Sequence, residues 1–202
     1  MIRVCVCVSG GGTNLEAIFR AIENKEITDA KIVRVISNNP NAYALERAKK
    51  RNVDTICVSP KDYADRALFN LSLLDAMKAC EPDLIVLAGF LVNVPVEIIR
   101  EFKNRIINIH PSLIPSFCGK GFYGIKVHEE ALKKGVKVSG ATVHFVDEGI
   151  DTGRIIDQKA VYVQEGDTPK TLQERIMEQA EWVILPRTIQ RIAKGEIIIG
   201  EN

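Results

Sequence analysis

Ile2-Arg3-Val4-Cys5-Val6-Cys7-Val8 runs without a break into Ser9-Gly10-Gly11-Gly12-Thr13-Asn14, and Leu15, Ile18, Phe19 and Ile22 then recur at helical spacing. A β-branched apolar run, a glycine loop and an amphipathic stretch read in order as strand, tight loop and helix. Outward from this unit the alternation repeats. Lys31 to Ser37 reads as a strand, Ala42 to Arg51 as a helix behind Pro40, and Asp54 to Val58 as a short strand. Ala64 to Cys80 carries a long helical pattern free of Gly and Pro. Leu84 to Ala88 is apolar throughout, as a strand covered on both faces should be. Pro95 to Phe102 reads as a shorter helix, and Ile106 to Ile109 as a strand stopped by Pro111. Strands alternating with helices predict a mostly parallel, doubly wound α/β sheet.

The pattern then changes. Residues 112–124 form a loop too long for a plain connector. Val138 to Val146 and Arg154 to Val163 read as strands joined by the turn-rich Asp147 to Gly153, an antiparallel pair at the later edge of the sheet. Thr168 opens a final long helix, with Thr171 or Asp167 as its cap. No repeat, linker or low-complexity segment divides the 202 residues, so one domain over 1–202 is expected. Hydrophobic residues make up 46% and charged ones 26%, and the net charge is +1. That balance argues against bulk nucleic-acid binding. No apolar stretch approaches the roughly 20 residues that span a bilayer. The cysteines form no CxxC pair. Cys5 and Cys7, two apart on a strand, share one layer of core. The absence of a leader pattern at the start points to a reducing cytoplasm.

Three segments carry chemistry. The glycine loop exposes N–H groups beside a helix N-terminus, which suits a phosphate, with Gly12 letting the anion approach and Thr13 and Asn14 adding donors. It has neither the P-loop lysine nor the dinucleotide spacing, and a turn that needs glycine for its backbone alone fits the same residues. Asn108 and His110 lie two apart at the C-terminal end of a strand, where open parallel sheets bind ligands. Together they can hold an oxyanion while the imidazole carries a proton; a pair that only satisfies the strand end has the same spacing. The turn Asp147 to Gly153 holds three carboxylates. One of them, Asp151 beside Ile150, can stabilise an imidazolium, and a solvated acidic turn is the alternative. The turn fits no EF-hand, and His110, His128 and His144 are too scattered for a zinc motif, so no metal is expected. His144 reads as one structural position in a strand.

Ser9 to Leu15, Ser37-Asn38-Asn39, Leu87-Ala88-Gly89-Phe90, Asn108-Ile109-His110-Pro111-Ser112-Leu113-Ile114-Pro115 and Gly140 to Val146, in this order, resemble the folate-dependent formyltransferases over nearly the whole chain. The early glycine loop and a chain ending near residue 200 resemble the branch that formylates glycinamide ribonucleotide in purine synthesis. The resemblance implies that Asn108, His110 and Asp151 are catalytic and that Gly12, Thr13 and Asn14 hold the substrate phosphate. It implies that Leu91, Val92, Asn93, Val94 and Asp147, Glu148, Gly149, Ile150 cradle the pterin of 10-formyltetrahydrofolate, the co-substrate. Arg66 would meet the folate tail. Glu181, with Glu178 as the alternative, would meet the glycinamide end. The implied partners are these two small molecules, with no nucleic acid or membrane, on a cytoplasmic monomer or homodimer.

Two departures stand out. Val92 occupies a position that is often Arg or polar in the family, which leaves main-chain contacts there. The loop Cys118 to Gly124 is longer than the common form, lacks its His-rich stretch and carries a lysine. A formyltetrahydrofolate deformylase would bring a regulatory domain before the first strand. A methionyl-tRNA formyltransferase would bring an RNA-binding domain after the last helix. A catalytically silent phosphometabolite or folate binder, and a nicotinamide dehydrogenase with the wrong glycine spacing, are the remaining alternatives.

Overall fold

The computed structural model describes residues 1–200. Seven strands form one sheet in the order β3-β2-β1-β4-β5-β6-β7: β1 Ile2–Val8, β2 Ala30–Ser37, β3 Asp54–Cys57, β4 Leu84–Leu87, β5 Ile106–His110, β6 Val138–Phe145 and β7 Ile155–Tyr162. The first five are mutually parallel; β6 runs antiparallel to β5, and β7 to β6. Helices α1 Thr13–Glu23, α2 Tyr43–Lys49, α3 Arg66–Lys78, α4 Val96–Glu101, α5 Ile125–Lys134, α6 Pro169–Ile176 and α7 Trp182–Ala193 cover the two faces.

The period-2 pleat sorts the apolar residues between two cores. Val4, Val6 and Val8 of β1 face one core, with Leu15 and Ile18 of α1 and Ile184 and Ile189 of α7. Cys5 and Cys7 face the other, with Phe69, Leu73 and Met77 of α3 and Ile98 of α4, sharing a layer as their spacing requires. Ile107 and Ile109 of β5 belong to the first core and Ile106 to the second, which sends Asn108 and His110 to the second face, at the strand's C-terminal end.

The strand order reverses between β1 and β4, and that switch point is where an open α/β sheet opens a crevice. The loops after these strands are stitched together: Ser9 N donates to Gly89 O (3.0 Å) and Leu91 N to Ser9 Oγ (2.8 Å).

Two elements differ from the sequence reading. The ten-residue helix α5, after the long loop, was not anticipated as a separate element. The final long helix is present and unbroken from Pro169 to Ala193, but it widens into a π-turn over Met177–Glu181 between α6 and α7. The widened turn lies just ahead of Pro186, which cannot donate to the carbonyl four residues back. Such π-turns recur at functional sites. The cap of α6 is Thr168 itself. Its hydroxyl accepts from Thr171 N while the Thr171 hydroxyl accepts from Thr168 N, a reciprocal box, and Asp167 instead receives the Thr171 hydroxyl.

Candidate active site

Antiparallel pairing places Asn108 of β5 directly opposite His144 of β6. The Asn108 Nδ2 and His144 Nε2 atoms are 3.1 Å apart, and His144 Nδ1 lies 2.8 Å from the Phe145 carbonyl. A carbonyl can only accept, so Nδ1 carries the proton. Burial pushes His144 below the ordinary histidine range, which keeps the ring neutral. Its Nε2 therefore accepts one amide hydrogen from Asn108 and leaves the other for the cavity. The sequence reads His144 as one structural position in a strand; the β5–β6 register adds that this position holds the Asn108 amide by a hydrogen bond. A bulge in the β6–β7 pairing falls between Val143 and His144, the kind of irregularity that re-aims a side chain beside a site.

His110 is 4% exposed. Its Nε2 donates to the Phe117 carbonyl (2.9 Å), and its Nδ1 faces Asp151 Oδ2 at 3.6 Å. Both Phe117 and Asp151 have positive φ, +52° and +57°; for an aromatic residue this is a costly conformation that its surroundings must enforce.

The three carboxylates of the acidic turn separate cleanly. Asp147 is consumed within the turn, accepting from Gly149 N (3.1 Å) and the Thr152 hydroxyl (2.6 Å). Glu148 pairs with Arg100 at the surface (2.8 Å). Asp151 alone points inward. It accepts from Gly119 N (2.9 Å), and its other oxygen is 3.7 Å from His144 Nε2. One carboxylate thus sits between two imidazoles and ties the 117–124 loop to them.

In the glycine loop, Gly12 has φ +71°, and a Cβ there would stand 2.5 Å from the Ala44 Cβ of α2. A Cβ on Gly10 or Gly11 would meet nothing within 4 Å. Asn14 is buried and donates from Nδ2 to Glu181 Oε2 (2.6 Å), while its Oδ1 has no protein partner. The π-turn carries Glu181 inward and leaves Glu178 exposed, which separates the two candidates. Burial raises the Glu181 carboxyl to about 7, against the lowering pull of the Asn14 amide.

Two cavities meet over these residues. One, of about 460 Å³, takes in Asn14, Glu181, His110 and the 119–124 loop. The other, of about 380 Å³, is walled by Leu87, Val94, Ile99 and Val146 and holds His144. Both include Asn108, Asp151 and Val92. Leu91, Val92, Asn93 and Ile150 line the first, and Val92 to Val94 and Asp147 to Ile150 the second. Val92 also packs on the second core, so its side chain serves the wall. Three residues singled out in the sequence stand apart. Gly12 lines neither cavity. Thr13 lines a separate cleft of about 310 Å³ beside Trp182, which contains none of Asn108, His110 or Asp151. Arg66, at the start of α3, is exposed and reaches the rim by donating to the Asn93 carbonyl (2.9 Å). Among the described residues, no three His, Cys, Asp or Glu side chains are grouped to hold a metal ion.

The fold and the crevice define a doubly wound α/β domain with a cluster of polar side chains where two cavities meet. Residues 2–189 match the formyl transferase family model, and the chain belongs to that family. It is 40% identical over 200 residues to the trifunctional purine biosynthetic protein adenosine-3 of Bos taurus, which covers 99% of this chain and 19% of that protein. It is 37% identical over 196 residues to the chloroplastic phosphoribosylglycinamide formyltransferase of Vigna unguiculata, covering 97% of this chain and 62% of that one. The crystal structure of glycinamide ribonucleotide transformylase 1 from Symbiobacterium toebii superposes with a TM-score of 0.90 at 42% identity, covering 99% of this chain and 92% of the other. The chain spans 14% of the length of the trifunctional relative from Drosophila melanogaster.

Proposed function

We propose that this chain transfers the formyl group of 10-formyltetrahydrofolate to the amine of glycinamide ribonucleotide, as the names of its relatives describe for those proteins. The observation that carries the reading is the meeting of the two cavities at Asn108 and Asp151. A reaction that joins two substrates needs two lobes with the reacting atoms at their junction. The lobe walled by Leu87, Val94, Ile99 and Val146 suits a pterin, whose ring carries polar edges that the acidic turn can meet, with Arg66 at the rim for the folate tail. The larger lobe suits the ribonucleotide, with its phosphate toward Asn14, the end of the glycine-loop segment that lines this lobe, and its amine end toward Glu181.

The amine attacks the formyl carbon. The free Asn108 N–H stabilises the oxyanion that forms, and His110, braced by Asp151, supplies the second donor. In the ligand-free geometry His110 Nε2 is held by the Phe117 carbonyl, so the ring exchanges that partner for the substrate when the loop adjusts. The proton lost by the amine passes to the departing folate nitrogen with Asp151 at hand. No helix among the described residues is long and apolar enough to cross a membrane. The cysteines are unpaired, as a reducing cytoplasm would keep them.

The test follows formyl donor by absorbance, with and without glycinamide ribonucleotide. Loss only in its presence supports the transferase. Loss in its absence points to a hydrolase, and no loss in either case overturns the reading.

A further inference from the structure

We infer that Lys120 is the specificity-determining cation for the acceptor's phosphate, delivered by the 117–124 loop and absent from the glycine loop itself; this rests on the transferase reading above. Asn14, at the end of the glycine-loop segment, and Lys120 line the same lobe, so a phosphate held toward Asn14 shares it with two carboxyl groups, Asp151 and Glu181, and needs a counter-charge. Among the residues lining that cavity Lys120 is the one Lys or Arg. The cation beside the glycine loop is Arg47 of α2, which lines the Thr13 cleft and not this lobe. Arg47 donates from Nε to the Gly11 carbonyl (2.9 Å) and from Nη1 to Glu16 (2.9 Å), so its charge is already paired. For the donor's tail carboxylates the proposed cation is Arg66, which bonds the Asn93 carbonyl and lines neither cavity itself.

Lys120 itself is exposed, makes no ion pair or hydrogen bond among the described residues, and stands between Gly119 (φ +86°) and Gly121 (φ +93°). Neither glycine would bring a Cβ within 4 Å of anything, so packing does not explain them. They hold the backbone in a left-handed path that other residues resist. The same loop donates Gly119 N to Asp151 and offers the Phe117 carbonyl to His110. A phosphate drawn onto Lys120 therefore bears on the segment that braces both acid–base groups. An acceptor without its phosphate forgoes that contact.

The test is calorimetric binding of glycinamide ribonucleotide and of its dephosphorylated nucleoside to the wild-type chain, Lys120→Met and Lys120→Arg, with 10-formyl-5,8-dideazafolate as the donor-side control. The expected result is a loss of about ten- to a hundredfold in ribonucleotide affinity for Lys120→Met, the size of a charge-assisted contact. Lys120→Arg should recover most of it, and nucleoside and donor-analogue binding should not change. Weakened donor-analogue binding would assign Lys120 to the folate carboxylates and overturn the inference, as would unchanged ribonucleotide affinity. A wild-type chain that binds no ribonucleotide overturns it together with the transferase reading. A wild-type chain that binds the ribonucleotide but does not turn over overturns the transferase reading alone.

Discussion

The glycine loop after β1 and the acidic turn between β6 and β7 are both tight and glycine-bearing, yet they are built in opposite ways. In the loop, Gly10 and Gly11 have open space around them and the backbone is the exposed surface. In the turn, Gly153 is boxed in by the Phe145 carbonyl, and Asp147 bonds the turn to itself so that Asp151 can point inward. One leaves its main chain exposed; the other presents a single side chain to its neighbours. Under the proposed function the difference teaches that affinity and rate would reside in separable places, the first after a parallel strand and the second where the antiparallel strands begin.

The sharpest break of that comparison is Asn108→Ala. Losing an oxyanion donor costs about 3–4 kcal/mol, so turnover should fall about a hundred- to a thousandfold with the folded state intact. A loss of tenfold or less in kcat would remove Asn108 from the reaction. Next comes Gly12→Ala, which combines a left-handed backbone with the contact on Ala44. Thermal or urea unfolding should show about 2–4 kcal/mol of destabilisation, and a change under 1 kcal/mol would contradict the packing described.

Glu181 gives a pH signature. Its folded value near 7 lies above the ordinary carboxylate value, so the folded state holds an extra proton between about 4.5 and 7, and stability falls as pH rises through that window. His128, fully buried with both ring nitrogens unpartnered and lowered to about 4, does the reverse: the unfolded state holds the extra proton between about 4 and 6.5, and stability rises with pH. The two slopes offset each other in the wild-type chain. Glu181→Gln removes the falling one. Its unfolding free energy should climb between pH 5 and 6.5 and exceed wild type at pH 8 by about 2–3 kcal/mol. Parallel profiles for the two proteins would sink this assignment.

The smallest effect is Gly11→Ala. With nothing to strike, it should leave stability within about 0.5 kcal/mol, while its methyl hinders the anion and weakens ribonucleotide binding about tenfold, or 1.4 kcal/mol. Unchanged binding would favour a loop that needs glycine only to turn.

Much of this was legible in the sequence because the fold is written in short-range patterns. The apolar β4 run, the alternation in β5 that sets Asn108 and His110 on one face, and the strand–loop–helix opening each depend on neighbours within a few residues. What was hidden depends on pairing across the chain. Nothing local distinguishes His144 from a core histidine; only the β5–β6 register sets it opposite Asn108. The sequence singles out Asp151 beside Ile150, but the occupations of Asp147 and Glu148 needed the turn's internal bonds and the position of Arg100. That Glu181, the choice from the sequence, is buried while Glu178 is exposed follows a π-turn that shifts the phase of the helix, which counting at a constant period does not foresee. The unforeseen α5 follows a glycine-rich loop that masks its start.

Calorimetric titration of glycinamide ribonucleotide into Asn108→Ala tests the separation of binding from chemistry most directly. Wild-type affinity alongside a hundredfold or greater loss of turnover is the result predicted for a residue that acts on the transition state and not on the bound acceptor. An affinity that falls in step with turnover would contradict it, placing Asn108 among the groups that hold the substrate.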